Sequence, residues 1–181
     1  MSLHADARTV LSGWSPTSPR LEELRERFLH HLAAHPDAMT RACLPDHLTA
    51  GTVVLTPQAD AVLLNHHRKA DTWLAFGGHC EPGDATLAGV ALREAHEESG
   101  LRELDLDPVP LDLDVHAVEF CVPGTTVHHL DVRFLATAQR SADHRVSAES
   151  LDVRWWPLDA LPDLLPDMRR LVGDAVARLR G

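Results

Sequence analysis

Between Gly77 and Leu101 the chain reads GGHCEPGDATLAGVALREAHEESGL. Gly77-Gly78 and Pro82-Gly83 make a loop whose backbone can approach a ligand closely. Asp84 is expected to cap a helix that begins immediately after it, with acceptable helix residues from Ala85 to Ser99 and Gly100 as the stop. On that helix Glu94 and Glu97 are three apart and Glu94 and Glu98 four apart, so all three carboxylates lie on nearly one face. Arg93, four before Glu97, is placed to brace it. Leu87, Ala91 and Ala95 fall on a different face, suited to a core.

Carboxylates this close cost about 0.2–0.5 kcal/mol per pair on an exposed helix, and more when buried, unless one takes up a proton. A divalent cation removes the conflict, and oxygen-only ligands suit Mg²⁺ or Mn²⁺. Acidic helix faces are ordinarily just solvated, and Glu94 to Glu98 alone would be read that way. The flanking glycines, the turn and the bracing arginine shift the reading toward a metal site.

The acidity is general. Seventeen basic against twenty-seven acidic residues give a net charge of −10, which argues against a nucleic-acid polymer as partner. A small anionic substrate stays open where local cations or a metal cancel the field. At 181 residues, 44% of them hydrophobic, the chain can bury a core without staples. It is expected to form one domain over 1–181, with a helical N-terminal extension over 1–47, a core over 48–161 and a C-terminal helix over 162–181. Cys43, Cys80 and Cys121 are odd in number and widely spaced, as expected of reduced thiols in a cytoplasmic protein. No run has the length of a membrane span, and the first residues lack a signal-peptide layout.

Periodicity places a helix from Ser18 to about His35, short strands in TAGTVVLTP, DAVLLNHHR and TWLAF, and an antiparallel pair over Val115–Val122 and Val127–Ala138 turning at Pro123-Gly124. A last strand in VRWWPL and an amphipathic helix close the chain. Strands and helices without regular alternation favour an α+β fold or a mixed sheet.

The opening stretch resembles the Nudix box: a glycine, five residues, a glutamate, seven residues, then Arg-Glu-(apolar)-x-Glu-Glu-x-Gly-(apolar). Arg93, Glu94, Ala95, Glu97, Glu98, Gly100 and Leu101 match its second half position by position. In the first half Gly78 is followed by five residues and then Asp84, which stands where the pattern has Glu, and eight residues separate it from Arg93. A looser likeness extends over about Leu48 to Leu161. The resemblance implies an α/β/α sandwich around a mixed sheet and a metal-dependent hydrolase of the pyrophosphatase kind, acting on a small phosphorylated molecule such as a nucleoside diphosphate derivative, with Mg²⁺ or Mn²⁺. It implies Glu94 and Glu98 as direct metal ligands, Glu97 as a further ligand or the residue that orients water, and the Gly78 carbonyl as an extra ligand. Arg93 belongs to this catalytic set as a structural rather than a reacting member. The general base comes from the box or from a later loop, where Glu149 and Asp152 are candidates.

Asp84 has two readings: a helix cap, favoured by its capping propensity, or a member of the site. Arg68, Arg133 and His66 are candidates for binding substrate, with solvated surface as the alternative. A zinc site from His79, Cys80 and His96 is conceivable but lacks paired ligand spacing. Trp155 and Trp156 face opposite ways on a strand, so at least one is expected in the core. A Nudix fold serving as a non-catalytic nucleotide-binding or regulatory module remains the alternative function, and a homodimer is compatible with the sequence.

Overall fold

Strand β1 (Asp46–Leu55) is buried along nearly its whole length because alternate residues face two cores. Leu48 and Ala50 point to one face and Val53 and Leu55 to the other. The computed structural model describes residues 1–122 and 124–181. Within them the elements run α1 (Leu3–Gly13), α2 (Pro19–Ala34), β1, β2 (Ala61–His67), β3 (Thr72–Leu74), β4 (Phe76–His79), α3 (Leu87–Ser99), β5 (Asp105–Val122), β6 (Thr125–Thr137), β7 (Ser150–Pro157) and α4 (Pro166–Arg180).

The strands form a mixed sheet in the order β3-β2-β1-β6-β5, with β4 on β1 and β7 on β2. β1 runs parallel to β6 and antiparallel to β2 and β4. One edge of β1 is shared: Thr49 to Thr52 pair with β4, while Val54 and Leu55 pair with β2. A cavity is lined from both sides of this fork. Phe28 and Leu32 of α2, Leu11 of α1 and Val90 of α3 pack with Phe134 of β6 on one face of the sheet. Met168, Leu171 and Ala175 of α4 pack on Val53, Leu55 and Leu64 on the other. The result is the expected α+β arrangement with helices on both faces of a mixed sheet.

Several elements differ from expectation. Helix α1 was not foreseen; Ser2 caps it, and its short apolar stripe is only Ala7 and Leu11. The expected third strand is two, β3 and β4, divided at Ala75. β5 begins at Asp105, ten residues before Val115, because Asp105 to Asp107 pair with the far end of β6. Of the expected turn at its end, Pro123 lies outside the described residues. Helix α3 starts at Leu87, not Ala85: Thr86 is its cap, accepting from the Gly89 amide at 3.0 Å, so the cap reading of Asp84 is corrected. Gly100 ends α3 in the left-handed region at φ 70°, as expected.

Helix α1 also supports α3. The Asp6 carboxylate accepts from the Leu87 amide at 2.8 Å, a second group on an otherwise unpaired helix N-terminus. Asp6→Ala is expected to lower stability by about 0.5–2 kcal/mol, as for loss of a cap. Urea denaturation checks this; an unchanged midpoint would mean that α1 rests beside α3 without holding it.

Candidate active site

The carboxylates of α3 divide by burial. Leu87, Ala91 and Ala95 form its core stripe, and Glu98 continues that stripe at three- and four-residue spacing, with 7% of its surface exposed. It does not stand on a separate face from the core, as expected, but at the inner edge of it. Glu94 is mostly buried, and the Glu97 side chain is 58% exposed.

The glycine loop permits this burial. The Gly77 amide donates to Glu98 Oε2 at 3.2 Å. A Cβ on Gly78 would lie 2.7 Å from the Glu94 carboxyl, and one on Gly77 would lie 2.7 Å from the Gly51 Cα of β1. At Gly77 the backbone of β1 leaves no space for a side chain, whereas one at Gly78 would have to displace the Glu94 carboxyl. Asn65, a buried polar residue at the end of an apolar run on β2, lines the same cavity as Glu98 and works to lower its carboxyl. Its isolation among apolar residues was the signal by which sequence reading could have found it.

Arg93 ties loop to helix. Its Nε and Nη2 donate to the two Asp84 carboxylate oxygens at 3.2 and 3.0 Å, and Nη2 also donates to the His79 carbonyl at 2.9 Å. Its Nη1 donates to Glu94 Oε1 at 2.9 Å and to Glu97 Oε2 at 3.3 Å. Asp84 Oδ2 closes its own loop by accepting from the Glu81 amide at 2.7 Å. Asp84 is thus the arginine's bidentate partner despite the shorter side chain and the extra residue.

These contacts set the protonation. Burial pushes the Glu98 carboxyl up to about 8, with the charges of Glu94 and Glu149 adding to the effect against the Gly77 amide and Asn65. Burial also raises Glu94, opposed by Arg93. Asp84 is lowered: burial works against this, and the Arg93 guanidinium and Glu81 amide outweigh it. Burial pushes the Cys80 thiol up to about 12, which makes it unreactive.

Glu94, Glu97, Glu98 and Gly78 line one wall of a cavity of about 670 Å³, and Glu149 joins them from the loop before β7. Asp152 does not; it pairs with Arg154 at 2.7 Å on an exposed part of β7. Arg68 lies behind the Glu149 loop, donating to the carbonyls of Ala148 and Ser150 at 3.2 and 3.0 Å. His66 stacks on Trp73, away from the cavity wall. Arg133 does line the cavity, but Asp131 at 2.8 Å, Asp114 at 3.2 Å and Asp112 at 3.6 Å surround its guanidinium. Arg41 and Lys69 also reach the wall. Trp155 and Trp156 pack into cores on opposite faces of the sheet. The conceivable zinc set does not assemble: Cys80 turns to the Leu48 carbonyl and His96 Nδ1 meets the Leu101 carbonyl at 2.6 Å.

The donor set fits a hard divalent cation. Glu94 and Glu98 put two largely buried carboxylates on the cavity wall next to Gly78, and an all-oxygen donor set of this kind suits such an ion.

The chain matches the NUDIX domain over residues 45–176, a stretch that ends within α4. No curated protein sequence matches it. Among solved structures it is similar to a NUDIX-family hydrolase from Clostridium perfringens, with 22% identity over 74% of this chain and 97% of that one, TM-score 0.57. It is similar to an Ap4A hydrolase binary complex from C. elegans, with 21% identity over 74% and 97%, TM-score 0.56. It is also similar to the NUDIX domain of Shewanella oneidensis NrtR complexed with ADP ribose, with 21% identity over 83% and 97%, TM-score 0.56. At these identities the likeness is one of fold.

The raised Glu98 has a consequence for stability in the absence of metal. Its carboxyl titrates at an ordinary 4.5 when unfolded and about 8 when folded, so folding favours the protonated form. That contribution is whole below pH 4.5 and is lost as pH rises through about 8. In chelator, the unfolding free energy of the wild type minus that of Glu98→Gln should fall across this window. The difference removes the buried histidines' own titration; a flat difference would show that Glu98 is ionised without a cation.

Proposed function

The chain belongs to the NUDIX family, and on that footing we propose that it cleaves the pyrophosphate linkage of a nucleoside diphosphate derivative or related small phosphorylated compound, with Mg²⁺ or Mn²⁺ held by Glu94, Glu98 and the Gly78 carbonyl. The enzyme is of the pyrophosphohydrolase kind. The observation that carries the finer reading is the burial of Glu98 and Glu94 against the glycine loop at a cavity wall. Burying two carboxylates with so few donors is costly unless a cation enters with the substrate. A solvated acidic face would leave Glu98 in water. The same retained carboxylate pair weighs against the purely binding module.

When bound, the metal neutralises phosphate oxygens and lowers the pKa of water. The chain's residues do the rest. Arg93 positions Glu94 and Glu97 without reaching the cavity itself, and Asp84 fixes Arg93. Glu97, the most exposed of the three, orients the attacking water or adds a ligand. Glu149 faces Glu94 and Glu98 closely enough to act on both electrostatically, and its carboxylate is the proton acceptor for that water. Arg68 pins the Glu149 loop. Arg41 and Lys69 meet the phosphates from the wall. A cavity of about 670 Å³ is of the size that takes a small ligand.

The test is a panel of nucleoside diphosphate derivatives with Mg²⁺ or Mn²⁺, scored for phosphate-containing products. Turnover should vanish in excess chelator and return with either ion. Glu98→Gln should lose about a hundredfold or more in rate while remaining folded. Turnover in chelator, or a near-normal rate for Glu98→Gln, would overturn the proposal.

A further inference from the structure

Three histidines on three strands converge beside another part of the cavity, with His79 and His129 on its wall and His47 buried behind them. In the register of the sheet His47 of β1 lies opposite His129 of β6, and His79 of β4 lies opposite Thr49, two residues along β1. Strand periodicity therefore puts all three on one face. Their ring centroids are 4.7–5.1 Å apart, and one ring nitrogen from each lies within 4.8 Å of the other two.

His47 is fully buried, and its Nδ1 donates to the Cys43 carbonyl at 3.2 Å. That bond leaves Nε2 as the bare nitrogen, and this atom is buried with no hydrogen-bond partner among the described residues. Nε2 of His129 is also buried and without a partner among them. Two desolvated, unpartnered ring nitrogens beside a third imidazole have no return within the described residues. None of the three belongs to the carboxylate set.

We propose that His47, His79 and His129 bind one divalent transition-metal ion of the zinc class, at a site separate from the glutamates. Imidazole suits zinc, while magnesium and manganese prefer carboxylate, carbonyl and water, so one cavity sorts two kinds of metal by donor. Zinc–nitrogen bonds of about 2.0–2.1 Å place tetrahedral ligands about 3.3 Å apart, within reach of small ring movements. The Cys43 carbonyl supplies the outer contact that orients a ligating histidine. Arg41 and Asp131 both act on the rings, with opposite sign. Because His79 and His129 line the cavity, the fourth coordination position is open to a water or substrate oxygen. The site does not depend on the hydrolytic reading.

The test uses the full chain, stripped with chelator and then saturated with Mg²⁺. Zn²⁺ binding is followed by calorimetry, and Co²⁺ binding by its visible spectrum, which distinguishes tetrahedral from octahedral coordination. The wild type should bind about one equivalent of Zn²⁺ and give the tetrahedral Co²⁺ spectrum. His79→Asn and His129→Gln should each weaken Zn²⁺ by about a hundredfold. They are chosen over replacement of the fully buried His47, and the second reads the site should the first not fold. Glu98→Gln, and Asp37→Asn in the separate group of His35, Asp37 and Cys43, should leave affinity within about threefold. No Zn²⁺ binding by the wild type, binding indifferent to both histidine variants, or binding lost with Glu98→Gln or Asp37→Asn would overturn the proposal.

Discussion

The guanidinium of Arg93 holds the two halves of the site in one register. It accounts for the conformation of the glycine loop through the His79 carbonyl and Asp84, and for the direction of two helix carboxylates through Glu94 and Glu97. The fork is planar and donates along several directions at once, which a lysine could not reproduce. With one positive charge among three carboxylates the group stays net acidic, and that residual charge is what a cation would meet.

A second charged network fixes the opposite wall. Arg133 of β6 is almost wholly buried and is surrounded by Asp131, Asp114 and the fully buried Asp112. Arg170 of α4 and Arg20 of α2 reach the same aspartates from the two faces of the sheet. Although burial opposes it, the His116 contact and the charges of Arg133 and Arg170 hold Asp114 down at about 2. Removing one member of such a network leaves a charge without its partner, so the helices on both faces are tied to the strands that line the cavity. Carboxylates thus shape two walls by different means: on the β6 side several arginines share them, and on the α3 side Arg93 serves three carboxylates while Glu98 has no arginine of its own among the described residues.

The packing of α3 explains how an acidic helix serves a hydrophobic core. Leu87, Val90, Ala91 and Ala95 anchor it to the sheet, and small side chains at 91 and 95 let the helix come close. Glu98 is carried inward by this anchoring, and the Gly77 amide meets its carboxylate there. Function and stability pull against each other at that residue, and the apolar contacts one and two turns earlier decide the outcome.

The run Arg93-Glu94-x-x-Glu97-Glu98-x-Gly100 by itself determined the helix, the relation of its carboxylates and the left-handed stop, because those depend on neighbours within one or two turns. Alternation in TVVL and in the later strands determined which residues face a core, and the irregular order of strand and helix patterns pointed to an α+β fold. Tertiary structure decided what sequence distance conceals. Asp84 and Thr86 are both good capping residues, and only the docking of Arg93 and of Asp6 from α1 determined which would cap α3. Glu149 and Asp152 are three apart in one polar loop and strand start, yet the pairing of β7 with β2 brought only Glu149 to the cavity. His47, His79 and His129 are separated by 32 and 50 positions, and the parallel pairing of β1 with β6 and the antiparallel pairing with β4 brought them together. Strand register is a long-range choice, made by the burial of whole faces rather than by the residues that end up side by side.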